Sequence, residues 1–404
     1  MDQGAEPVVA NLLFLTHRLP YPPDKGDKVR SYHLLKHLLL NHQVYLGTFV
    51  DDPADLAHVP RLRELCAEVC APRLRPPVAR LASLTGLLRG QPLTLPYYRS
   101  PMLAGWVSEL VSRQAIDATV VFSSAMAQYV PASMNRPVLV DMVDVDSAKW
   151  TAYAQAHRGP LSWIYQREGE RLADHEVKCA ALADCTFLAT EKEAALFRGR
   201  APDQAHKVQA LFNGVDTEYF GPSASLPSPF SPGEIPLVFT GAMDYWPNID
   251  AVIWFAAEVL PALRQRRPEL RFHIIGRNPP PRVLALASVA VSVSGTVPDV
   301  RPYLQHAAVV VAPLRLARGI QNKVLEAMAM ARPVVAAREC IEALDHRPSA
   351  GLEAASQADD YVQAIERLLV APDKGREAGL VARGCVVDHY RWDVRLSAID
   401  PWLP

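Results

Sequence analysis

The stretch that decides the fold is Val309-Val-Val-Ala-Pro313, followed after a loop by Gly319-Ile-Gln-Asn-Lys-Val-Leu-Glu-Ala-Met-Ala-Met-Ala-Arg-Pro-Val-Val-Ala336. Val309–Pro313 is a short apolar run of the kind that forms a parallel strand buried on both faces. Lys323–Met330 reads as a helix, and Pro333–Ala337 as the next strand. The loop Leu314–Gln321 therefore leaves a strand's carboxyl end, where open α/β sheets bind ligands. The helix after it points unsatisfied backbone N–H groups toward that end, a ready anion site.

The same alternation extends in both directions. Upstream in the second half, Leu237–Thr240, Arg271–Gly276 and Val291–Ser294 read as strands, and Ile249–Arg264 as a helix ending in basic residues, the sign its dipole favours there. In the first half, Val8–Thr16 is an almost continuous apolar run, and Gln43–Val50, Ala118–Ser123, Pro137–Met142, Cys185–Ala189 and Val208–Asn213 supply further strands. Lys28–Leu40 has apolar residues close to helical spacing. The expected class is α/β, with two doubly wound parallel sheets. Between them, Gly221–Gly233 holds four prolines and four serines without a charge, the composition of a linker. The expected domains are 1–220, a linker at 221–234, a second domain at 235–385, and a segment at 386–404 that crosses back to the first.

Lys323 places a positive charge in the first turn of its helix, which the dipole disfavours unless an anion is present. It is one of nine lysines in the chain and the sole lysine between Lys207 and Lys374. Glu326 could accept hydrogen bonds from a ribose diol. The bland alternative is a solvated i,i+3 pair worth a few tenths of a kcal/mol. Arg277, at a strand end, is a second candidate phosphate cation because its fork matches phosphate oxygens; a solvated strand-end arginine is the alternative.

Gly-x-x-Asn-Lys-x-Leu-Glu-Ala-Met-Ala followed by Arg-Pro-Val-Val resembles the donor-site signature of GT-B glycosyltransferases, family four and its relatives. Asn213-Gly-Val-Asp216 with Phe220, Phe239-Thr-Gly-Ala-Met243 with Pro247-Asn248, Phe272-His-Ile-Ile-Gly276 and Gly295-Thr-Val-Pro-Asp299 resemble further marks of that family. Pro22-Pro-Asp-Lys-Gly-Asp-Lys-Val-Arg30 and Val143-Asp-Val-Asp-Ser-Ala-Lys-Trp150 are similar to a sugar transferase subgroup of exopolysaccharide loci in exosortase (PEP-CTERM) systems. The resemblance implies two Rossmann-like domains facing across a cleft. It implies transfer of a sugar, with retention, from a nucleoside-diphosphate sugar to a glycan or lipid-linked glycan, and no divalent metal or other cofactor. Carried onto this chain, the donor-binding residues are Gly241, Arg318, Gly319, Asn322, Lys323 and Glu326. Lys323 and Arg277 would stabilise the leaving diphosphate, and Gly26, Asp27, Lys28, Arg30 and Asp144 would line the acceptor side. One departure stands out: the family's first glutamate, eight positions before Glu326, is replaced by Arg318, which could meet the diphosphate or face solvent. Two other classes share the architecture, a nucleotide-sugar 2-epimerase and a non-catalytic sugar-nucleotide-binding homologue.

The bulk composition sets further bounds. A net charge of −1 argues against a nucleic-acid-binding protein. The six cysteines form no CxxC pair and read as reduced thiols. The acidic N-terminal residues do not resemble a secretory signal, and Val8–Thr16 is too short to span a bilayer, so the cytoplasm is the expected location. Asp144-Val-Asp146 has the form of a metal-holding carboxylate pair, and His33 and His37 are four residues apart, but neither is expected to bind metal. No acidic residue occurs between Glu68 and Glu109, while Arg73, Arg75, Arg80, Arg89 and Arg99 alternate with leucines and aromatics. Residues 73–106 are therefore a candidate peripheral contact with an anionic membrane surface, or else a core helix with a basic outer face.

Overall fold

Two all-parallel sheets organise the chain in a computed structural model that describes residues 9–23, 26–131, 134–156, 159–315 and 320–404. One unit comprises the chain up to Phe212 together with Leu396–Pro404, and the other comprises Asn213–Arg395.

The first unit holds β1 (Asn11–Thr16), β2 (Gln43–Gly47), β3 (Glu68–Cys70), β4 (Ala118–Phe122), β5 (Val138–Val143), β6 (Cys185–Leu188) and β7 (Val208–Ala210), in the order β3-β2-β1-β4-β5-β6-β7. Leu12, Leu13, Phe14 and Leu15 are all fully buried, because helices on both faces cover a central parallel strand. The order reverses between β1 and β4, so their carboxyl ends frame this sheet's ligand-binding edge.

The second unit holds β8 (Ile235–Thr240), β9 (Leu270–Ile275), β10 (Val291–Gly295), β11 (Val309–Ala312), β12 (Val334–Ala337) and β13 (Leu352–Ala355), in the order β10-β9-β8-β11-β12-β13. Here the reversal lies between β8 and β11. The Asn322–Ala329 helix buries Val324, Leu325, Ala327, Met328 and Ala329, which anchors its first turn rigidly. Gly241 N–H donates to Ile275 O (2.9 Å), drawing the carboxyl ends of β8 and β9 together, and Gly276 N–H donates to Gly295 O (3.0 Å), tying β9 to β10. A Cβ on Gly276 would lie 1.7 Å from Gly241 O, so only glycine permits this approach.

Two expected boundaries move. Residues 221–234 are fastened to the second unit rather than strung between domains. Gln305 accepts from Ser223 N–H (2.7 Å) and donates to Ser223 O (2.9 Å), while Phe230 packs on His273 and Tyr303. Proline and serine mark irregular backbone, and irregular backbone can still be bound down. The return to the first unit begins at Leu396, not at 386. Tyr390 is buried in the second unit, donating to Asp345 and accepting from His346 N–H, and its carbonyl receives Val215 N–H. After the crossing, Asp400 meets His37 at 2.6 Å.

Gly276→Ala should lower stability by about 2–3 kcal/mol or more, as overpacking against backbone does. Gly199→Ala, on an exposed helix with open space around it, should be neutral or stabilising by up to ~1 kcal/mol. Urea denaturation of the two variants checks the contrast.

Candidate functional site

In the second unit, the loops leaving β8 and β11 frame the edge where the strand order reverses. Gly241 opens the first loop and the Asn322–Ala329 helix follows the second. Lys323, half-buried in that helix's first turn, is not part of a solvated pair. Its ammonium donates to Asn248 Oδ1 at 2.5 Å and lies 4.6 Å from the centre of the Phe239 ring. Asn248 is buried and is held in turn by its Nδ2, which donates to Ala242 O at 2.8 Å. A Cβ on Gly241 would come within 2.8 Å of Asn248 Nδ2 and 3.1 Å of Lys323 Nζ. Gly241, Asn248 and Lys323 therefore form one packed cluster.

Loss of hydration pushes the Lys323 ammonium down to about 8, against the opposing influence of Cys340 and Glu326. Burial pushes the Glu326 carboxyl up to about 7, with Lys323 opposing. Among the described residues no ion pair joins the two and no hydrogen bond satisfies the Glu326 carboxylate. Desolvated groups of opposite sign that do not neutralise each other are poised for a ligand carrying both an anion and hydroxyl donors. Asn322 begins the helix, and Gln321 before it supplies no side-chain cap to the first N–H groups. Arg277 is half-exposed at the end of β9, 3.8 Å from Asp244. Arg318 and Gly319 lie outside the described residues.

The first unit corrects part of the acceptor-side expectation. Lys28 and Arg30 are buried and do not reach outward. Lys28 Nζ is 2.9 Å from Asp55, and Arg30 makes a bidentate pair with Asp141 at 2.7 and 3.0 Å. Asp141 also accepts from Val143 N–H at 3.1 Å, so the Arg30 pair braces the end of β5. The helix Gly26–Leu38 turns these two cations inward because its inner face covers the sheet. Asp144 is occupied by Lys149 at 2.7 Å, and Asp146 by the same ammonium at 3.0 Å. Gly26 has open space around a would-be Cβ, so its lack of a side chain is not a steric demand.

Asp27 alone of that set faces other functional side chains. It takes Arg18 at 2.9 Å and His17 Nε2 at 3.4 Å, while Arg18 also reaches Asp51 at 3.0 Å. His17 stacks on Phe122 at 5.8 Å, directly between the ends of β1 and β4. Burial alone would raise the Asp27 carboxyl, but hydrogen bonding and the charges of His17 and Arg18 outweigh it and hold it well below the usual carboxylate range. His17, Arg18 and Asp51 escaped the sequence reading, and Asn248 entered it only as part of a family mark, without a role. The first two follow a strand directly at Thr16, which was the available signal. His33 is buried, and the six cysteines are free thiols.

The solved structures of similar fold extend over the whole chain. HepE (Alr3699) of Anabaena in complex with UDP has 14% sequence identity, covers 97% of this chain and 99% of its own, and superposes with a TM-score of 0.67. The sucrose-phosphate synthase of Thermosynechococcus elongatus has 16% identity, 97% and 98% coverage, and a TM-score of 0.66. A glycosyltransferase of Rickettsia africae has 13% identity, 98% coverage of both chains, and a TM-score of 0.63. The fold is GT-B. Residues 234–370 match the family model described as Glycosyl transferases group 1, and this segment of the GT-B chain contains the whole Gly241–Asn248–Lys323 cluster with Glu326. No protein of curated function matches the sequence.

Arg30→Met, which leaves Asp141 charged and buried, should cost about 3–5 kcal/mol. Adding Asp141→Asn should restore at least half of that loss, since the amide oxygen can still accept from Val143 N–H. Chemical denaturation of the single and double variants measures the difference.

Proposed function

We propose that this GT-B protein is a glycosyltransferase. It moves a sugar, with retention, from a nucleoside diphosphate to a hydroxyl of a glycan or lipid-linked glycan in exopolysaccharide assembly, and uses no metal. The observation that carries the reading is the water-deprived ammonium of Lys323, fixed by Asn248 beside Gly241 at the reversal edge of the second sheet. A diphosphate supplies an anion that no described residue pairs with this cation, and the helix N–H groups add further donors. Glu326, one turn on, accepts from the ribose hydroxyls in this reading. The group 1 match over 234–370 and the solution of HepE with UDP-glucose support a sugar nucleotide as the donor. Similarity of the motifs around Gly26–Arg30 and Val143–Trp150 to exopolysaccharide sugar transferases supports the pathway.

During transfer, the bond between the anomeric carbon and the β-phosphate oxygen breaks with its electron pair staying on the diphosphate, the acceptor hydroxyl oxygen bonds to the anomeric carbon, and the hydroxyl proton passes to the departing diphosphate. Lys323, the N–H groups of the Asn322 helix and Arg277 stabilise the charge that collects there. The desolvated setting strengthens each of these interactions. In the first unit, the His17–Asp27–Arg18 cluster supplies the polar side chains for the acceptor.

Lys323→Met should lower kcat/KM for the donor by ~10²–10³-fold, the size of losing one preorganised charge partner, and should raise the melting temperature of the ligand-free protein by removing a desolvated charge. Glu326→Ala should weaken UDP binding about 10–100-fold. Chelating divalent metal should leave turnover unchanged. Epimer formed from the sugar nucleotide without an acceptor would instead identify a 2-epimerase, and nucleotide binding without turnover on any acceptor would identify a non-catalytic homologue.

The ionised Glu326 carboxylate accepts more strongly from both ribose hydroxyls than the protonated acid does, so binding weakens as pH drops through about 7. Lys323 must be protonated to hold the phosphate, so binding falls again as pH rises through about 8. Calorimetric UDP affinity should therefore peak between these values, with limbs that belong to the pair.

A further inference from the structure

The helices Pro76–Ser83 and Thr85–Leu88 run on through Leu84, whose backbone is itself helical. Their inner side buries Ala79, Ser83 and Gly86. Val78, Leu81, Leu84 and Leu88 emerge on the other side at 61%, 70%, 49% and 91% exposure. These leucines are not core, as one reading of the sequence allowed. At ~100° per residue, Arg80 and Arg89 fall on either flank of the leucine ridge. Both are exposed, as are Arg73, Arg75 and Arg99, and no carboxylate occurs between Glu68 and Glu109 to balance them.

The ridge is held from beneath. Arg167, on the helix Pro160–Leu182, donates to Gly86 O at 3.0 Å and Gln91 O at 3.2 Å. Glu168 accepts from Leu93 N–H at 2.6 Å and Thr94 N–H at 3.0 Å. Trp163, one turn before Arg167 on the helix that holds the ridge, is 63% exposed. Helices that lie in a bilayer interface have this make-up: bulky apolar side chains outward, arginines flanking, and an aromatic at headgroup depth.

We propose that residues 73–99, with Trp163, are a docking surface for an anionic lipid bilayer. The leucine ridge enters the boundary between headgroups and acyl chains, and the arginines pair with lipid phosphates. The occupant is a bilayer and not a protein groove because, among the described residues, no ion pair neutralises Arg73, Arg75, Arg80, Arg89 or Arg99, and a fluid anionic surface can satisfy every arginine at once. The surface lies within the first unit and does not depend on the glycosyl-transfer reading.

Co-sedimentation of the full chain with large vesicles tests the proposal without reading turnover. Vesicles of equal parts phosphatidylglycerol and phosphatidylcholine should bind the protein, pure phosphatidylcholine should bind it weakly, and added salt should release it. Leu81→Gln with Leu88→Gln, and separately Arg80→Gln with Arg89→Gln, should each reduce the partition coefficient by ~10-fold or more, with melting temperatures unchanged because all four side chains are exposed. The proposal is overturned if the anionic vesicles do not bind the protein, or if both double variants bind as well as the parent. It is equally overturned if the leucine variant abolishes a self-association seen in solution while vesicle binding is absent.

Discussion

A lysine ammonium drawn out of water must find its partners inside the protein or in a ligand. At Lys323 the described residues supply part of the need: one amide oxygen from Asn248 and the face of Phe239. Neither carries a formal negative charge. Glu326 is near enough to be felt, yet it is itself desolvated and makes no ion pair with the lysine among the described residues. The site is thus built around an electrostatic deficit, and the depressed affinity of Lys323 for its proton expresses that deficit.

The architecture accounts for where the deficit lies. In a parallel sheet every strand's carboxyl end faces the same edge, and the reversal of strand order between β8 and β11 parts the loops at one place along it. Gly241 leaves β8 there, the Asn322 helix begins there, and Gly276 lets the two neighbouring strand ends close to a distance that no side chain would allow. Val324, Leu325, Ala327, Met328 and Ala329, buried on the inner side of the Asn322 helix, hold its first turn in place. The chemistry therefore depends on apolar packing a few ångströms behind it. The first unit repeats the plan with different residues, and its reversal edge carries the mixed-charge cluster of His17, Arg18, Asp27 and Asp51.

Sheet-forming runs were readable from sequence wherever they were long and apolar, as at Asn11–Thr16 and Val309–Ala312. The three-residue β3 and the Leu-Glu-Ala-Ala of β13 were not, because so short a run carries no period. Lys323 and Glu326 stood out through residue type and position, whereas Asn248 appeared only within a family mark and without a role. Its role depends on a long-range contact across the sheet edge, which no local pattern encodes. Lys28 and Arg30 show the opposite failure. Cations in a loop-to-helix junction look outward-facing in sequence, yet the inner face of that helix turns them onto Asp55 and Asp141. Composition likewise marked 221–234 as a linker, although its backbone polar groups are satisfied by Gln305 and its aromatic by the second unit's core.

The most direct test of this account is an NMR titration of the lysine side-chain amines, with Lys323→Met identifying the resonance, in the ligand-free protein and again with UDP bound. The account predicts a Lys323 midpoint near 8 in the free protein and a shift upward by at least about one pH unit when the diphosphate binds, since an adjacent opposite charge favours the protonated form. A midpoint in the ordinary lysine range that UDP does not move would contradict it.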